Sequence, residues 1–434
     1  MFEDSLTDTN VLTKMEKNLN LITLCSPLND PESITGVKRE SLNIIRSLYC
    51  TKIVSNPEDI SHTVSEGIFT ALFIASGGSE ELFMSIKELL PKPVVVISDS
   101  YHNSLAASLE ILTWLSINGI MHKHINIPAE PSEKYIQELT QELEYMEKIQ
   151  IGLFNISKHN IGLIGGASPW LIASNINNEK IVQKYGLTFT EIDTGEVVSR
   201  YNSEKGDDPE SLQLLQKLDK HRDNRRSESD LKDAVRLYNT LNNICKDYKL
   251  TALTIKCFDL VTSCNSTACL ALSLLNDNGI TSGCEGDIPS LWSMIIAREI
   301  CSSVSFMANP SSIERVDNSI DFAHCTAPLS LGADYRLTSH YESGIGIGVA
   351  SKVNLGKFTL FKCGGESLDR FYIYEGDVVQ NTYVIERCRT QIKYIFKTQD
   401  DLDSYLESYI GNHSVLIPGK HKKLLSRFIK LTTI

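Results

Sequence analysis

Short apolar runs alternate with longer amphipathic stretches through the first two thirds of the chain. The apolar runs are mostly continuous, which is typical of parallel strands covered on both faces. They predict strands over 20–25, 68–75, 94–98, 151–155, 161–164, 187–192 and 250–256. The amphipathic stretches predict helices over 79–90, 104–117, 131–149, 231–248, 266–275 and 289–300. Strands that alternate with helices in this order predict doubly wound sheets.

The pattern changes near residue 330, where the segments FTLFKC, RFYIYEG, TQIKYIFK and HSVLIPG all favour strands. Such a run of strands predicts a β-rich domain, either a small barrel or a sandwich. The fold class that we predict is therefore α/β. Two doubly wound α/β domains, 1–150 and 151–325, precede a β-rich, barrel-like C-terminal domain, 326–434.

One polar run interrupts the first pattern: KLDKHRDNRRSESD, at 217–230. It mixes both signs of charge, which favours a solvated helix–loop surface over a phosphate-binding patch. The chain as a whole has a formal net charge of −12, which argues against a nucleic-acid partner. An anionic ligand would need a local basic pocket.

Composition places the protein among ordinary globular chains, since 42% of its 434 residues are hydrophobic and 22% are charged. The eleven cysteines are scattered and odd in number and form no Cys-x-x-Cys pair, which predicts reduced thiols. The acidic, polar start does not have the pattern of a signal peptide, and no run approaches the length of a membrane span. We expect a cytoplasmic protein with no membrane partner.

Two glycine-rich turns follow predicted strands. The first, SGGSE at 76–80, could hold an anion or a sugar oxygen with its backbone amides, although plain turn chemistry is the simpler interpretation. The second, Gly165-Gly166, precedes Trp170, which either stacks on a sugar face or packs in the core or against another domain.

The segment GCEGD at 283–287 carries the sharpest signal for chemistry. Asp287 suits the N-cap of a helix that begins near Pro289. Glu285 does not suit that role, and a carboxylate in an apolar neighbourhood needs a cation or a hydrogen-bond donor. His324, in FAHC, and His413, in GNHSV, would complete a set suited to a divalent ion. These three residues lie so far apart along the chain that the sequence alone does not show whether their side chains meet in the fold.

Eight segments in order resemble the L-fucose/L-arabinose isomerase superfamily, in particular its shorter fucose-isomerase-like branch. They are FIASGGSEELF, HNSLAASLEIL, IGLIGGASPWLIAS, GCEGDIPSLWSMI, IDFAHCTAPLSL, ESGIGIG, ERCRTQI and IGNHSVL. The resemblance implies two α/β domains and a β-rich C-terminal domain, assembled as a homotrimer or homohexamer with sites between subunits. It also implies a metal-dependent aldose–ketose isomerase that uses Mn²⁺ or another divalent cation and acts on a sugar through an ene-diol.

Several residues match positions of this family. Glu285 matches a glutamate that is both metal ligand and acid/base, and His413 matches a histidine ligand. We therefore expect these two side chains within about 5 Å of each other. His324 matches a histidine in or beside the site. Arg389 and Glu342 lie in family motifs and, with His324 and Trp170, are our candidates for substrate binding.

The chain departs from the family at Asn309, where the pattern has a second acidic ligand. An amide oxygen can ligate a hard cation, but it brings no negative charge and cannot act as a base. Asn309 is therefore a candidate metal ligand and catalytic position that lacks the charge and the basicity of the family's acid. Two alternatives stay open beside the isomerase: a related enzyme with altered chemistry, and a non-catalytic carbohydrate-binding protein.

Overall fold

The structure is a computed structural model that describes residues 17–28, 39–54, 60 and 67–433. The chain divides into two units, Met1–Ile151 and Gly152–Thr433. The second unit contains both a parallel sheet and a barrel. The predicted division into three domains, with boundaries near 150 and 325, stays a prediction.

The first unit contains a five-stranded parallel sheet in the order β2-β1-β3-β4-β5. Its strands are β1 (Asn18–Leu24), β2 (Cys50–Val54), β3 (Thr70–Ile74), β4 (Val94–Asp99) and β5 (His122–Ile127). Every residue of β3 and β4 is buried, as expected for central strands covered on both faces. The helices described here are α1 (Glu40–Leu48), α2 (Glu80–Ile86), α3 (Ser104–Ile117) and α4 (Glu133–Ile156).

The predicted strand at 151–155 is wrong, because these residues form the last turns of α4. A short apolar run cannot be distinguished from a buried helical segment by periodicity alone. Gly152 lies at a close approach that favours glycine: a Cβ at this position would lie 2.4 Å from the Cδ1 atom of Ile300 and 2.8 Å from the carbonyl oxygen of Glu299. The glycine there serves close packing and does not break the helix.

The second unit begins with a four-stranded parallel sheet in the order β7-β6-β8-β9. Its strands are β6 (Asn160–Ile164), β7 (Thr188–Ile192), β8 (Ala252–Ile255) and β9 (Thr281–Gly283). The helices of this part are α5 (Asn178–Tyr185), α6 (Thr194–Ser203), α7 (Pro209–Asp219), α8 (Glu228–Asp247), α9 (Phe258–Cys264), α10 (Cys269–Asp277) and α11 (Ile288–Glu299). Both parallel sheets confirm the α/β prediction.

A closed six-stranded barrel in the order β10-β11-β16-β15-β14-β17 confirms the barrel alternative. Its strands are β10 (Phe306–Glu314), β11 (Ser319–His324), β14 (Gly356–Gly364), β15 (Arg370–Asn381), β16 (Thr390–Phe396) and β17 (Ser414–Pro418). Aromatic and aliphatic side chains such as Phe322, Leu360 and Tyr394 fill it. The C-terminal helices are α12 (Gln399–Glu407) and α13 (Lys422–Thr432).

A separate antiparallel pair lies beside the barrel: β12 (Gly332–Thr338) and β13 (Gly348–Val353). The polar run 217–230 reaches this pair. Asp223 N–H donates to the carbonyl of Leu337 at 2.8 Å, and Leu337 N–H donates to the carbonyl of His221 at 2.8 Å. The run is thus anchored by backbone pairing to the strand pair, with α7 before it and α8 after it.

Two features bear on the expected location. In the part of the chain that the structure describes, no single helix is long and apolar enough to cross a membrane; α9 and α10 pass that test only as a pair, bent by 118°. All eleven cysteines are free thiols, and most are buried. The cytoplasmic location stays a prediction.

Candidate metal centre

Two of the predicted site residues lie at the carboxyl edge of the second parallel sheet. Trp170 comes shortly after β6, and Glu285 comes two residues after β9. In the order β7-β6-β8-β9, β7 lies on one side of β6, and the later strands β8 and β9 lie on its other side. Ligands of open α/β sheets bind outside the carboxyl ends of the strands at such a switch in strand order. The topology therefore places both side chains where a site is expected.

The loop that carries Glu285 has an unusual backbone. Glu285 and Gly286 both have positive φ, at +62° and +69°. Gly286 N–H donates to the carbonyl of Ile255 at 3.0 Å, and the carbonyl of Glu285 accepts from Ser168 N–H at 3.1 Å. A Cβ at position 286 would lie 2.2 Å from the carbonyl oxygen of Gly166, so only glycine fits. A non-glycine residue at positive φ is uncommon and strained, and such strain concentrates at functional sites.

The end of the barrel supplies the two histidines. His324 is the last residue of β11, and His413 directly precedes β17. The Oε1 atom of Glu285 lies 3.8 Å from Nε2 of His324 and 3.5 Å from Nε2 of His413. One ligand atom from each of these three residues lies within 4.8 Å of the others. The predicted proximity of Glu285 and His413 is confirmed, and His324 joins them.

A second layer of polar groups orients the two imidazoles. Nδ1 of His413 lies 2.8 Å from Oδ2 of Asp287, and Nδ1 of His324 lies 2.8 Å from the hydroxyl of Thr326. In both rings Nδ1 has this polar partner, and Nε2 is the nitrogen that lies near Glu285. Metal-binding histidines usually have such a partner at the second nitrogen, which fixes the ring and its tautomer.

Asp287 joins this layer to α11. It caps the helix as predicted, because its Oδ1 accepts from Ser290 N–H at 2.8 Å. Its Oδ2 atom contacts His413 and also lies 3.3 Å from Nζ of Lys362, a lysine whose side chain is 1% exposed. Lys362 Nζ also contacts the hydroxyl of Ser290. A fully buried lysine requires such a partner, because an unpaired buried charge is costly.

The electrostatics favour ionised carboxylates. Burial alone raises the pKa of Glu285, but the two imidazoles outweigh it and hold that pKa well below its usual range. Burial likewise opposes ionisation of Asp287, yet Lys362 and His413 hold its pKa low. For His413, burial lowers the pKa, whereas Asp287 and Glu285 raise it above its ordinary value overall. Both carboxylates therefore stay ionised, with His413 beside each of them and Lys362 beside Asp287.

Trp170 is bonded directly to the central carboxylate. Its indole N–H donates to Oε2 of Glu285 at 2.8 Å, so each oxygen of Glu285 has a different neighbour. The ring packs edge-on against Phe258 at 5.0 Å between centroids and is 47% exposed. The Trp170 ring is therefore neither fully packed in the core nor a free platform on which a sugar could stack. Its position allows it to orient Glu285 while one face stays open.

The donor set fits a divalent cation. Glu285 offers a carboxylate oxygen, and His324 and His413 offer imidazole nitrogens, a mixture that suits Mn²⁺, Fe²⁺ or Zn²⁺. The Nε2 atom of His413 is buried and makes no hydrogen bond among the described residues. Oε1 of Glu285 lies 3.5 Å from this nitrogen, which is longer than an ordinary hydrogen bond, so a cation shared by the two groups would satisfy the buried Nε2 atom.

The remaining predicted residues lie at varied positions. Asn309 pairs with Ala323, and its neighbour Ala308 pairs with Ser414, so the register places Asn309 within one position of both histidines. Glu342 is exposed in the turn before β13. Arg389 donates to the carbonyl of Ser339 at 2.8 Å, and no contact with Glu285 or the histidines is found in the described chain.

The sequence predicted a substrate-binding role for Trp170 and a capping role for Asp287, but not the hydrogen bond from Trp170 to Glu285 or the contact of Asp287 with His413. The buried ion pair of Lys362 with Asp287 was not predicted either. These contacts join residues far apart in the chain, and the only signal for Lys362 is a lone charge in the apolar strand FTLFKC.

Among known proteins, the chain is similar in sequence to sugar isomerases. A sulfoquinovose isomerase of Priestia aryabhattai is 22% identical over 431 residues, which cover 94% of this chain and 91% of that protein. The sulfoquinovose isomerase of Priestia megaterium matches with the same identity and coverage. A sulfoquinovose isomerase of Clostridium sp. (strain MSTE9) is 31% identical, but the match spans only 30% of this chain and 28% of that protein. No family model matches the chain.

Proposed function

We propose that this protein is a metal-dependent aldose–ketose isomerase with its site at Glu285, His324 and His413. One observation carries the proposal: these three residues lie within 4.8 Å of one another at the carboxyl edge of a parallel sheet. The end-to-end similarity to sulfoquinovose isomerases supports the same reaction class. Fold alone would not, because function depends on the site.

Glu285 is the group we assign to proton transfer. Its carboxylate lies beside both imidazoles, at the centre of the site, where it can accept the proton from C2 of an open-chain aldose. The electron pair of the broken C2–H bond forms the C1=C2 double bond of an ene-diol, while O1 gains a proton. The proton held by Glu285 then returns to C1, and loss of the hydroxyl proton from O2, which replaces the one taken up by O1, leaves a carbonyl at C2. No oxidant is needed, because C2 is oxidised as C1 is reduced. Trp170 holds Glu285 in place through Oε2.

Glu285, His324 and His413 would hold the divalent cation. When bound, such an ion supplies Lewis-acid stabilisation of the negative charge that develops on the sugar oxygens. Asp287 and Thr326 keep the two imidazoles oriented with Nε2 available. Asn309, within one register position of both histidines, is the candidate for a further neutral ligand.

The substrate we propose is a sulfonated hexose such as sulfoquinovose, from the names of the relatives. Asn309 favours a second candidate, an enzyme of altered chemistry or a non-catalytic carbohydrate-binding protein, because it removes an acidic ligand and a proton-transfer group. We also propose a cytoplasmic homotrimer or homohexamer, with Arg389, Glu342 and Trp170 near the substrate.

The test is an isomerisation assay on sulfoquinovose and unsubstituted hexoses with Mn²⁺. We expect ketose formation that falls by about 10²–10⁴-fold in Glu285→Gln, the range typical of general acid–base catalysis. Glu138→Gln, the same substitution at an exposed position of α4 outside the site, separates loss of the essential base from an effect of net charge. Binding of the sugar without turnover under all conditions would instead support the carbohydrate-binding candidate.

A further inference from the structure

Four arginines, among them Arg389, converge on a pocket to which the proposed proton transfer assigns no role. Arg225, Arg226, Arg336 and Arg389 line a cavity of about 160 Å³, completed by Thr338, Ser339, Ala350, Tyr383 and Ile385. None of these lining residues is acidic. A single water needs only about 10–15 Å³ by the same measure, so a polyatomic ligand fits.

The pocket is built by distant parts of the chain. Arg225 and Arg226 belong to the polar run at 217–230, which backbone pairing anchors against β12. Arg336 belongs to β12 itself, opposite Ala350 of β13. Arg389 is fixed from the other side, because its Nε donates to the carbonyl of Ser339 at 2.8 Å and its NH2 group to the Ser339 hydroxyl at 3.1 Å. Several segments thus hold like charges together.

The carboxylates nearby neutralise only part of this charge. Asp223 accepts from Arg225, with Oδ2 2.9 Å from its NH2 group, and Asp230 lies 4.0 Å from Arg226. Arg226 also donates to the carbonyl of Gly344 at 3.1 Å. The side chain of Arg336 makes no hydrogen bond or ion pair within the described residues, although its charge helps to lower the pKa of Asp223. Because arginine stays protonated at any physiological pH, the cluster keeps a net positive charge in a chain whose formal net charge is −12.

We propose that this pocket binds a tetrahedral oxyanion group, sulfonate or phosphate, of a small molecule. Guanidinium groups present planar forks of N–H donors that match such oxygens in pairs. An anion would compensate the repulsion among the four arginines and engage the donors of Arg336. Of the two interpretations that the sequence allowed for the polar run, the phosphate-binding one therefore describes its arginine end.

Binding is measured without any sugar, so the result does not depend on the proposed isomerase. Inorganic sulfate, inorganic phosphate and methanesulfonate are titrated into the full chain by calorimetry at constant ionic strength. We expect saturable binding of at least one probe and at least tenfold weaker binding in Arg336→Gln, which corresponds to about 1.4 kcal/mol. Arg336 is exposed, so the variant should fold. Arg46→Gln, an equal charge change on the exposed face of α1, should bind as the wild type does.

Absence of saturable binding to all three probes would overturn the proposal, as would equal weakening in Arg336→Gln and Arg46→Gln. If Arg336→Gln does bind more weakly, activity then identifies the source of the group. If Arg336→Gln has a higher KM than the wild type for sulfoquinovose but not for an unsubstituted hexose, the anionic group belongs to the substrate. If phosphate alters the turnover of both sugars by the wild type but not by Arg336→Gln, the anionic group belongs to a separate effector.

Discussion

Glu285 combines a chemical role with an unfavourable backbone. At φ +62° an L residue is destabilised by about 1–2 kcal/mol relative to glycine. We therefore predict that Glu285→Gly is more stable than Glu285→Gln by about 1 kcal/mol in urea unfolding of the metal-free protein, although both should be inactive. At Glu138, exposed within α4, the order should reverse, because glycine weakens a helix interior. Equal stability of the two Glu285 variants would contradict backbone strain at this loop.

Asn309 separates the two candidate functions. If the protein isomerises sugars in the way we propose, Asn309→Asp adds a negative ligand and a proton-transfer group beside the cation. We expect at least tenfold tighter Mn²⁺ binding, since one charge pair is worth about 4 kcal/mol at 4 Å in a moderately polar site. Turnover should rise with it.

Asn318→Asp is the matched control for this substitution, because it adds the same charge at the turn on the far side of β10 and β11. Unchanged Mn²⁺ affinity in Asn309→Asp would remove this residue from the site. Tighter metal binding with loss of the native activity would instead favour altered chemistry.

At the scale of elements, α11 depends on a buried ion pair at its N-cap residue, Asp287. Asp287→Asn keeps the cap, because Asn is as good an N-cap as Asp, but leaves Lys362 charged and unpaired. We predict a loss of about 3–5 kcal/mol in the free energy of unfolding. Adding Lys362→Met should recover much of it, since the orphaned charge is gone.

Asp208 provides the comparison for the cap itself. It caps α7 and accepts from Ser211 N–H at 3.0 Å, as Asp287 does from Ser290, but it is exposed and bonded to no lysine. Asp208→Asn should therefore change stability by less than about 0.5 kcal/mol. A similar loss in both Asn variants would show that the cap, not the buried pair, is what matters.

The elements also show what the sequence could reveal. Continuous apolar runs identified β1, β3, β4 and β6 closely, because buried parallel strands carry that pattern. The charged strand β5 (HKHINI) was not predicted, since its first three residues are polar and only partly buried. Glu285 and His413 were recognised through a resemblance; their contact with each other and with Trp170 depends on tertiary packing, which no local pattern records.

At the scale of the whole molecule, we predict a homo-oligomer. In the family that the motifs resemble, active sites lie between subunits. Light scattering at micromolar concentration should therefore give a mass well above the 48.5 kDa of a single chain, at a trimer or hexamer. A mass equal to one chain, with full activity in the same sample, would contradict the proposed assembly.

Metal dependence of turnover tests the central claim most directly. Protein stripped of divalent ions with a chelator is assayed for conversion of sulfoquinovose to its ketose while Mn²⁺ is added stepwise. We expect no turnover at the start, recovery that saturates at a single Mn²⁺ per chain, and little recovery in His413→Gln, whose buried Nε2 is lost as a ligand. Full activity of the stripped protein, or equal recovery in His413→Gln, would contradict a metal centre at Glu285, His324 and His413.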